Sequence, residues 1–353
     1  MKKLTRYIAS TVLVSVLAAI LVVAGIFLIF NFVVEANNTG QGSYTIAQAM
    51  MYTLLSLPDS LYLILPMAGL LGTLVGLGIL AGHSELIAMR AAGVSVKQIA
   101  KSVCYSATVL MLISLLIGTY IGPVVQHMAD VRRAIERTDQ AVLLAPTATW
   151  LKDDNDFIYI GQSLPNGELL NVARYEIVQH QLQTIISAKS AQFKDQHWVL
   201  HNVVITSFND KQISEKHYSE QDLQRLVPPN LLKVIVTQPQ YLTLGGLWSF
   251  IHYQHANGID VSQNEQQFWS ILLQPVAILI LMLMAVPFVF GPLRSSSMGL
   301  RLIAGLILGF AFFIVSQFFG PFSLLYDVPP FLGALLPNLL FAFILWVLMK
   351  RMT

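Results

Sequence analysis

Six long apolar stretches of the chain contain no Asp, Glu, Lys or Arg, and a polar segment divides them into two groups of three. The stretches are residues 8–34, 60–84, 102–129, 266–293, 302–326 and 328–349. A helix of about 20 apolar residues crosses the roughly 30 Å hydrocarbon core of a bilayer, and each stretch is long enough to do so. We therefore predict an α-helical membrane protein with six transmembrane helices.

The polar segment changes from a helical to an alternating pattern. Residues 126–142 continue the third span as a helix, and from Thr149 onward short aromatic and β-branched runs alternate apolar and polar side chains, as half-buried strands do. The runs are FIYIG, ELLNVARYEIV, TIISAKSAQF and HWVLHNVVITSF, and turn signals such as Pro165-Asn166-Gly167 separate them. This pattern predicts an inserted all-β domain, a sandwich or a jelly roll.

These patterns divide the chain into three parts. Residues 1–125 hold transmembrane helices 1–3, residues 126–266 form the jellyroll-like β domain, and residues 267–353 hold transmembrane helices 4–6. We expect residues 245–265 at the end of the β domain to form an interfacial helix, with Trp248 and Tyr253 at headgroup depth, because these two residue types are enriched there.

Composition and charge agree with a membrane protein of defined orientation. The chain of 353 residues is 55% hydrophobic and only 11% charged, whereas soluble domains average about a quarter charged residues. Ten basic residues fall on one side of a six-span arrangement: Lys2, Lys3, Arg6, Arg90, Lys97, Lys101, Arg294, Arg301, Lys350 and Arg351. Because basic residues concentrate in cytoplasmic loops, we expect both termini in the cytoplasm and the β domain on the opposite side.

Several classes of chemistry lack their usual residues. The cores of the six apolar stretches contain no ionisable residue of the kind that ion-coupled transporters keep at mid-membrane depth, since His83 and His127 lie at the ends of the second and third stretches. The sequence has no G-x-x-x-x-G-K-[ST] phosphate-binding motif, no H-E-x-x-H motif and a single cysteine, Cys104. We therefore expect no enzymatic activity, no cofactor and no metal site, so any energy from ATP must come from a separate ATPase subunit.

The short segment 84–93 between the second and third spans is predicted to be a capped helix. Ser84 is a suitable N-cap, Glu85 lies in the first turn where the helix dipole favours an anion, and Gly93 can end the helix. Such a helix is too short to be stable alone and needs a groove to lie in. Two interpretations remain open: a helix on the membrane surface, or one that receives force from a cytoplasmic ATPase through Glu85, Leu86, Met89 and Arg90.

Glycines recur at four-residue spacing in the second and fifth spans, in the pairs Gly72 and Gly76, Gly78 and Gly82, and Gly305 and Gly309. Small residues at this spacing let helix backbones approach closely in a membrane. The pattern favours packing within the chain, and contact with a second membrane subunit is the alternative.

Four long motifs resemble the LptF/LptG permease family. They are SELIAMRAAGVS (84–95), GQGSYTIAQAMMYTLLSLPDS (40–60), FGPLRSSSMGLR (290–301) and FFGPFSLLYDVPPFLGALLPN (318–338). The resemblance covers both membrane halves and is weakest in the β domain.

The resemblance implies one half of an ABC exporter that extracts lipopolysaccharide from the bacterial inner membrane. In this family LptF and LptG pair, an LptB ATPase dimer docks on the coupling helices, and LptC adds a transmembrane helix. The periplasmic jellyroll domains pass lipid to a bridge containing LptA. On that template residues 84–93 are the coupling helix, with Glu85 in the LptB groove and Arg90 as a second contact.

A lipid with several acyl chains and phosphorylated sugars needs an apolar cavity with cations at its rim. Candidate apolar residues are Phe27, Phe310 and Phe313. Arg133 resembles a basic position of the family, and Arg132 and Arg137 are its neighbours. Arginine suits bidentate phosphate contact. Asn31 lies where some family members carry a lysine, so phosphate recognition there is in doubt.

Two other functions remain open at the level of the sequence. A permease for another lipid or for lipoproteins shares every physical feature except the family motifs. A membrane scaffold, whose exported domain binds partners without transport, comes from a different functional class.

Overall fold

The computed structural model describes residues 2–138, 149–153, 155–164, 168–179, 181–194, 197–209, 212–223, 226, 239–291 and 297–351. The predicted turn Pro165-Asn166-Gly167 and Arg294 lie outside these residues. The described chain forms two compact units. One unit comprises residues 1–40, 44–130 and 262–353, and the other comprises residues 41–43 and 131–261.

The six predicted transmembrane helices are confirmed in the described residues. The first span is α1 (Lys2–Ala36) and the second is α3 (Leu57–Gly82). The third span runs without interruption through α5 (Val96–Leu116), a π-helix (Ile117–Ile121) and α6 (Gly122–Thr138). The last three spans are α8 (Ser262–Phe290), α9 (Met298–Leu325) and α10 (Pro330–Lys350).

The second and fourth spans form the centre of the membrane unit. In their most apolar windows 78% of α3 and 61% of α8 is buried, against 17% of α1 and of α9. The large buried core includes Leu70, Leu74 and Leu77 of α3 together with Leu281 and Met282 of α8. The spans α1 and α9 therefore lie at the periphery and keep broad apolar faces exposed.

One helix between the first and second spans is absent from the sequence prediction. It is α2 (Ile46–Leu55), and a capping box at Thr45 and Gln48 defines its start, with the Gln48 side chain bound to the Thr45 backbone. Its ten residues are too few to span a bilayer. The helix is therefore too short to be recognised by the length and continuous apolar character of the six spans.

The inserted domain is all-β, as predicted. Six strands form one antiparallel sheet in the order β1-β2-β3-β4-β5-β6. They are Thr149–Asp153, Asp156–Ser163, Leu169–Val178, Gln181–Lys194, His197–Asn209 and Gln212–Leu223. Each described strand pairs with its neighbour in sequence, which makes a meander and not the strand crossings of a Greek key.

One face of the sheet carries the core of this domain. Its buried residues include Leu151, Ile158, Val172, Trp198 and Leu200. Their alternation with more exposed neighbours is the period of two that the sequence shows. A register shift at Glu176 and Ile177 and a left-handed residue at Asn202 interrupt that alternation locally.

The helix predicted for residues 245–265 is shorter than expected. The helix α7 (Leu244–Ala256) ends before Asn257 and Gly258, where Gly258 adopts φ +63°. Phe250 and Tyr253 pack against the core of the β sheet. Tyr253 is therefore part of the β domain, whereas Trp248 is exposed.

Candidate functional site

The segment between the second and third spans forms a short helix, α4 (Glu85–Ala91). Ser84 occupies the N-cap position with φ +61°, but its side chain makes no capping hydrogen bond, which corrects the expected role of its hydroxyl. Gly93 has φ +89° and ends the helix as predicted. The amide of Gly93 donates to the Arg90 carbonyl and that of Val94 donates to the Met89 carbonyl, a Schellman arrangement.

The two sides of α4 have different surroundings. Leu86 is only 2% exposed and belongs to the core of the membrane unit, and Met89 packs against that core. Ile87, one residue further along, is 55% exposed. Leu86 and Met89 therefore hold α4 on its own bundle.

Glu85 and Arg90 lie at opposite ends of α4 and each contacts a different part of the bundle. The Glu85 carboxylate lies near the Tyr7 side chain of α1 and 3.9 Å from His83 Nδ1. The Arg90 guanidinium lies 6.0 Å from the centre of the Phe290 ring, at the end of α8. Ion pairs and cation–π contacts of this exposed kind contribute little stability, about 1 kcal/mol or less, so both charges remain available to a partner.

Two features of α4 could not be read from the sequence. The first is Ile87, because the periodicity of seven residues does not show which side of the helix faces the bundle. The second is Tyr7, which lies far from Glu85 in the chain and meets it only through the packing of α1 and α3.

The three candidate arginines lie on α6 and have different environments. The Arg132 guanidinium is exposed and pairs with Glu136 at 2.9 Å. Arg137 donates from Nε to the Gln41 side-chain oxygen at 2.9 Å. Arg133 lies between these two residues in the sequence, and its side chain is half-buried. The side-chain charges of Arg132 and Arg137 are thus already bound to protein groups.

Residues 41–43 pack closely against the end of α6. The Ser43 amide donates to the Glu136 carbonyl at 2.9 Å. A Cβ on Gly42, which has φ +57°, would lie 2.6 Å from the Arg137 carbonyl oxygen. Glycine is required at this point because the loop needs both the left-handed conformation and the close approach.

The candidate lipid-contacting residues lie on the two peripheral spans, α1 and α9. Phe310 and Phe313 are 51% and 38% exposed on α9, and Phe27 of α1 is half-buried. Asn31 of α1 instead donates to Ser60 Oγ at 3.5 Å, so its amide joins α1 to α3.

Among the described residues no group of three His, Cys, Asp or Glu side chains is arranged to hold a metal ion. Features of the described structure that another molecule can contact include Ile87 of α4, Arg132 of α6 and the apolar faces of α1 and α9. Their chemistry suits recognition and packing.

Comparison with known proteins gives matches over nearly the full length. Residues 6–351 match the family model described as "Lipopolysaccharide export system permease LptF/LptG". The chain is 36% identical to the lipopolysaccharide export system permease protein LptG of Escherichia coli strain K12, over 99% of this chain and 98% of that protein. It is 33% identical to the protein of the same name from Haemophilus influenzae, also over 99% of this chain and 98% of the relative.

Proposed function

The chain belongs to the LptF/LptG family of lipopolysaccharide export system permeases, and from that membership we propose that it is a transmembrane permease subunit of an ABC transporter. In this role it extracts lipopolysaccharide from the inner membrane and passes it to a periplasmic bridge toward the outer membrane. The match over residues 6–351 carries this proposal, because it includes all six spans and the β insertion.

The proposed complex contains several other chains. A second permease, LptF, pairs with this one, and ATP is hydrolysed by an LptB dimer. LptC contributes a further transmembrane helix, and LptA continues the bridge from the periplasmic domain. The chain is a multi-pass protein of the inner membrane, and the distribution of basic residues supports cytoplasmic termini and a periplasmic β domain.

We assign the ATPase contact to the outward side of α4. Ile87 is exposed on this side and the charged residues Glu85 and Arg90 lie at the two ends of the helix, whereas Leu86 and Met89 hold it on its bundle. An apolar residue flanked by an acid and a base gives a partner groove both burial and charge complementarity.

Copurification with the ATPase tests this assignment. In membranes that contain all partner subunits, Glu85→Arg and Ile87→Asp are expected to remove LptB from the purified complex, while the permease pair stays intact. Lys97→Glu is the matched control, because Lys97 is exposed on the next helix, outside α4. If both α4 variants copurify with as much LptB as the unmodified permease does, α4 is not the contact surface.

The same complex tests the substrate. Mass spectrometry of the purified assembly is expected to identify bound lipopolysaccharide together with the partner chains. Arg133→Glu is expected to lower ATP-dependent lipid release, since Arg133 is the candidate phosphate contact. A complex that copurifies with a different lipid or with no lipid would favour one of the two alternative functions.

A further inference from the structure

Prolines interrupt both central spans. Pro66 lies inside α3, and Pro275 and Pro287 lie inside α8. A proline in a helix cannot donate to the carbonyl four residues before it. At Pro66 and Pro275 the carbonyls that lose their usual donors are therefore those of Tyr62 and Ile271.

Each helix supplies the donor that the other lacks. Gln274 of α8 donates from Nε2 to the Tyr62 carbonyl at 3.1 Å. The Tyr62 hydroxyl of α3 donates to the Ile271 carbonyl at 3.4 Å. An unsatisfied backbone carbonyl is costly in a membrane protein, where water is not available to replace the lost donor. The exchange between Tyr62 and Gln274 thus satisfies both proline breaks at once.

The third span meets the same tyrosine at its π-helix. A Cβ on Gly118 would overlap the Tyr62 ring, with Cδ2 and Cζ of the ring each only 2.8 Å away. The π-helix Ile117–Ile121 includes this glycine, and single π-helical turns are frequently found at functional sites. Tyr62 is therefore in contact with two other spans, one through its hydroxyl and one through its ring face.

The second span also leads directly into α4. Only His83 and Ser84 separate the end of α3 from the start of α4. Leu86 of α4 is buried in the same core as α3 and α8, so a displacement of α4 is passed to α3 without an intervening flexible loop. The contacts that residues near the start of α3 make with other spans determine which of those spans follow that displacement.

We propose that Tyr62 and Gln274 form a joint that makes α3, α8 and the π-helical part of the third span move together when α4 is displaced. Both are positioning residues that act through the helices they join. This role rests on the proposed transport function, in which α4 receives force from the ATPase. The hydrogen-bond exchange itself does not depend on that function.

Because each helix donates one hydrogen bond to a carbonyl of the other, each bond can be removed and replaced separately. Tyr62→Phe removes the donor to Ile271 but keeps the ring on Gly118, and Gln274→Met removes the donor to Tyr62 at similar side-chain length. Pro275→Ala restores a backbone donor for Ile271, and Pro66→Ala restores one for Tyr62. The matched double variants are therefore Tyr62→Phe with Pro275→Ala and Gln274→Met with Pro66→Ala. The crossed pairs, each with the other proline, are the controls.

Lipid released per ATP hydrolysed is measured for the complete complex in proteoliposomes. Each single variant at Tyr62 or Gln274 is expected to keep ATP hydrolysis but to lower this ratio roughly fivefold, as the loss of one hydrogen bond shifts a two-state equilibrium. The matched pairs are expected to recover most of the ratio and the crossed pairs none. Equal recovery in matched and crossed pairs, or unchanged single variants, would overturn the joint.

Thermal unfolding of the same purified complexes separates this proposal from the proposed function. The midpoint temperature of unfolding is expected to fall in each single variant. It is expected to return to the value of the unmodified complex only in the matched pairs. If the unmodified complex releases no lipopolysaccharide with ATP, the proposed function fails, while the pattern of unfolding midpoints still decides whether the exchange exists. Midpoints that do not distinguish matched from crossed pairs would refute the exchange.

Discussion

At the scale of single residues, the glycines of the second span show how the membrane unit is packed. A Cβ on Gly72 would overlap the Val16 backbone of α1, and one on Gly76 would lie 3.0 Å from Val12 Cα. A Cβ on Gly309 of α9 would lie 2.8 Å from Met67 Cγ of α3. These glycines therefore serve packing within the chain, which was the favoured interpretation of their spacing.

Gly72→Ala is expected to destabilise the protein, because the atoms in the way are backbone atoms of α1 that cannot turn aside. Overpacking of this kind costs about 1–3 kcal/mol, which exceeds the gain of about 1 kcal/mol in helix propensity when glycine becomes alanine. The midpoint of thermal unfolding in detergent is therefore expected to fall.

Gly25→Ala is the matched control for this prediction. Gly25 lies within α1, and a Cβ there has no atom within 4 Å. Its midpoint is expected to stay unchanged or rise through the propensity gain alone. A Gly72→Ala protein as stable as the Gly25→Ala protein would show that α1 and α3 do not approach as closely as the structure indicates.

At the scale of elements, the sequence predicts those helices and strands whose pattern is long or strongly periodic. The six spans follow from the absence of charge, and strands β2 to β5 follow from alternation. The helix α2 escapes prediction because its capping box stands in a segment too short for either signal. The residues of α4 are predicted, but which of its sides is buried depends on how α3 and α5 pack.

The helix α7 illustrates an element whose partner could not be predicted. The Tyr253 hydroxyl donates to the Lys152 carbonyl at 2.8 Å and accepts from the Lys152 amide at 3.2 Å. These backbone groups lie on β1, which pairs only with β2 among the described strands. A sheet edge needs such cover to avoid pairing with other chains, and no local pattern in the sequence reveals that a distant tyrosine provides it.

Tyr253→Phe is expected to loosen β1. Loss of the hydroxyl leaves both backbone groups of Lys152 without this partner, while the ring stays against the core of the sheet. Hydrogen exchange followed by mass spectrometry is expected to show faster exchange in residues 149–153 of the full chain. Tyr159→Phe is the control, and equal exchange in the two variants would contradict the role of the hydroxyl.

The same contact predicts a dependence on alkaline pH. Burial raises the pKa of Tyr253, and the nearby Asp153 adds to this effect, while the bond from the Lys152 amide opposes it. A raised pKa in the folded state means that the neutral phenol is favoured there. The stabilisation that the neutral phenol gives the folded state is therefore fully present below the pKa of an unfolded tyrosine, about 10. It is lost as the pH rises through the pKa of Tyr253 in the folded state. Slow exchange of residues 149–153 is expected to disappear over that range in the unmodified protein but not in Tyr253→Phe, whose exchange is already fast.

At the scale of the whole molecule, the membrane unit has a packed centre and two apolar flanks. On α9 the exposed side includes Ile303, Ile307, Phe310 and Ile314, which repeat at three or four residues. On α1 the exposed side includes Leu21, Ile29, Phe30, Val33 and Val34. Both flanks suit a partner of low polarity, so a lipid substrate and a second permease subunit compete as explanations for the same surface.

Photocrosslinking from Phe310 separates transport from a purely structural role. A photoreactive residue at this position, 51% exposed on α9, is expected to give lipopolysaccharide adducts during ATP hydrolysis if the flank forms part of the lipid path. Phe312 is the matched control, because it is 7% exposed and its ring packs on Phe341 at a centroid distance of 5.0 Å. Adducts with protein alone from Phe310 would favour a scaffold, because a transport path must expose its apolar wall to the substrate at some stage of the cycle.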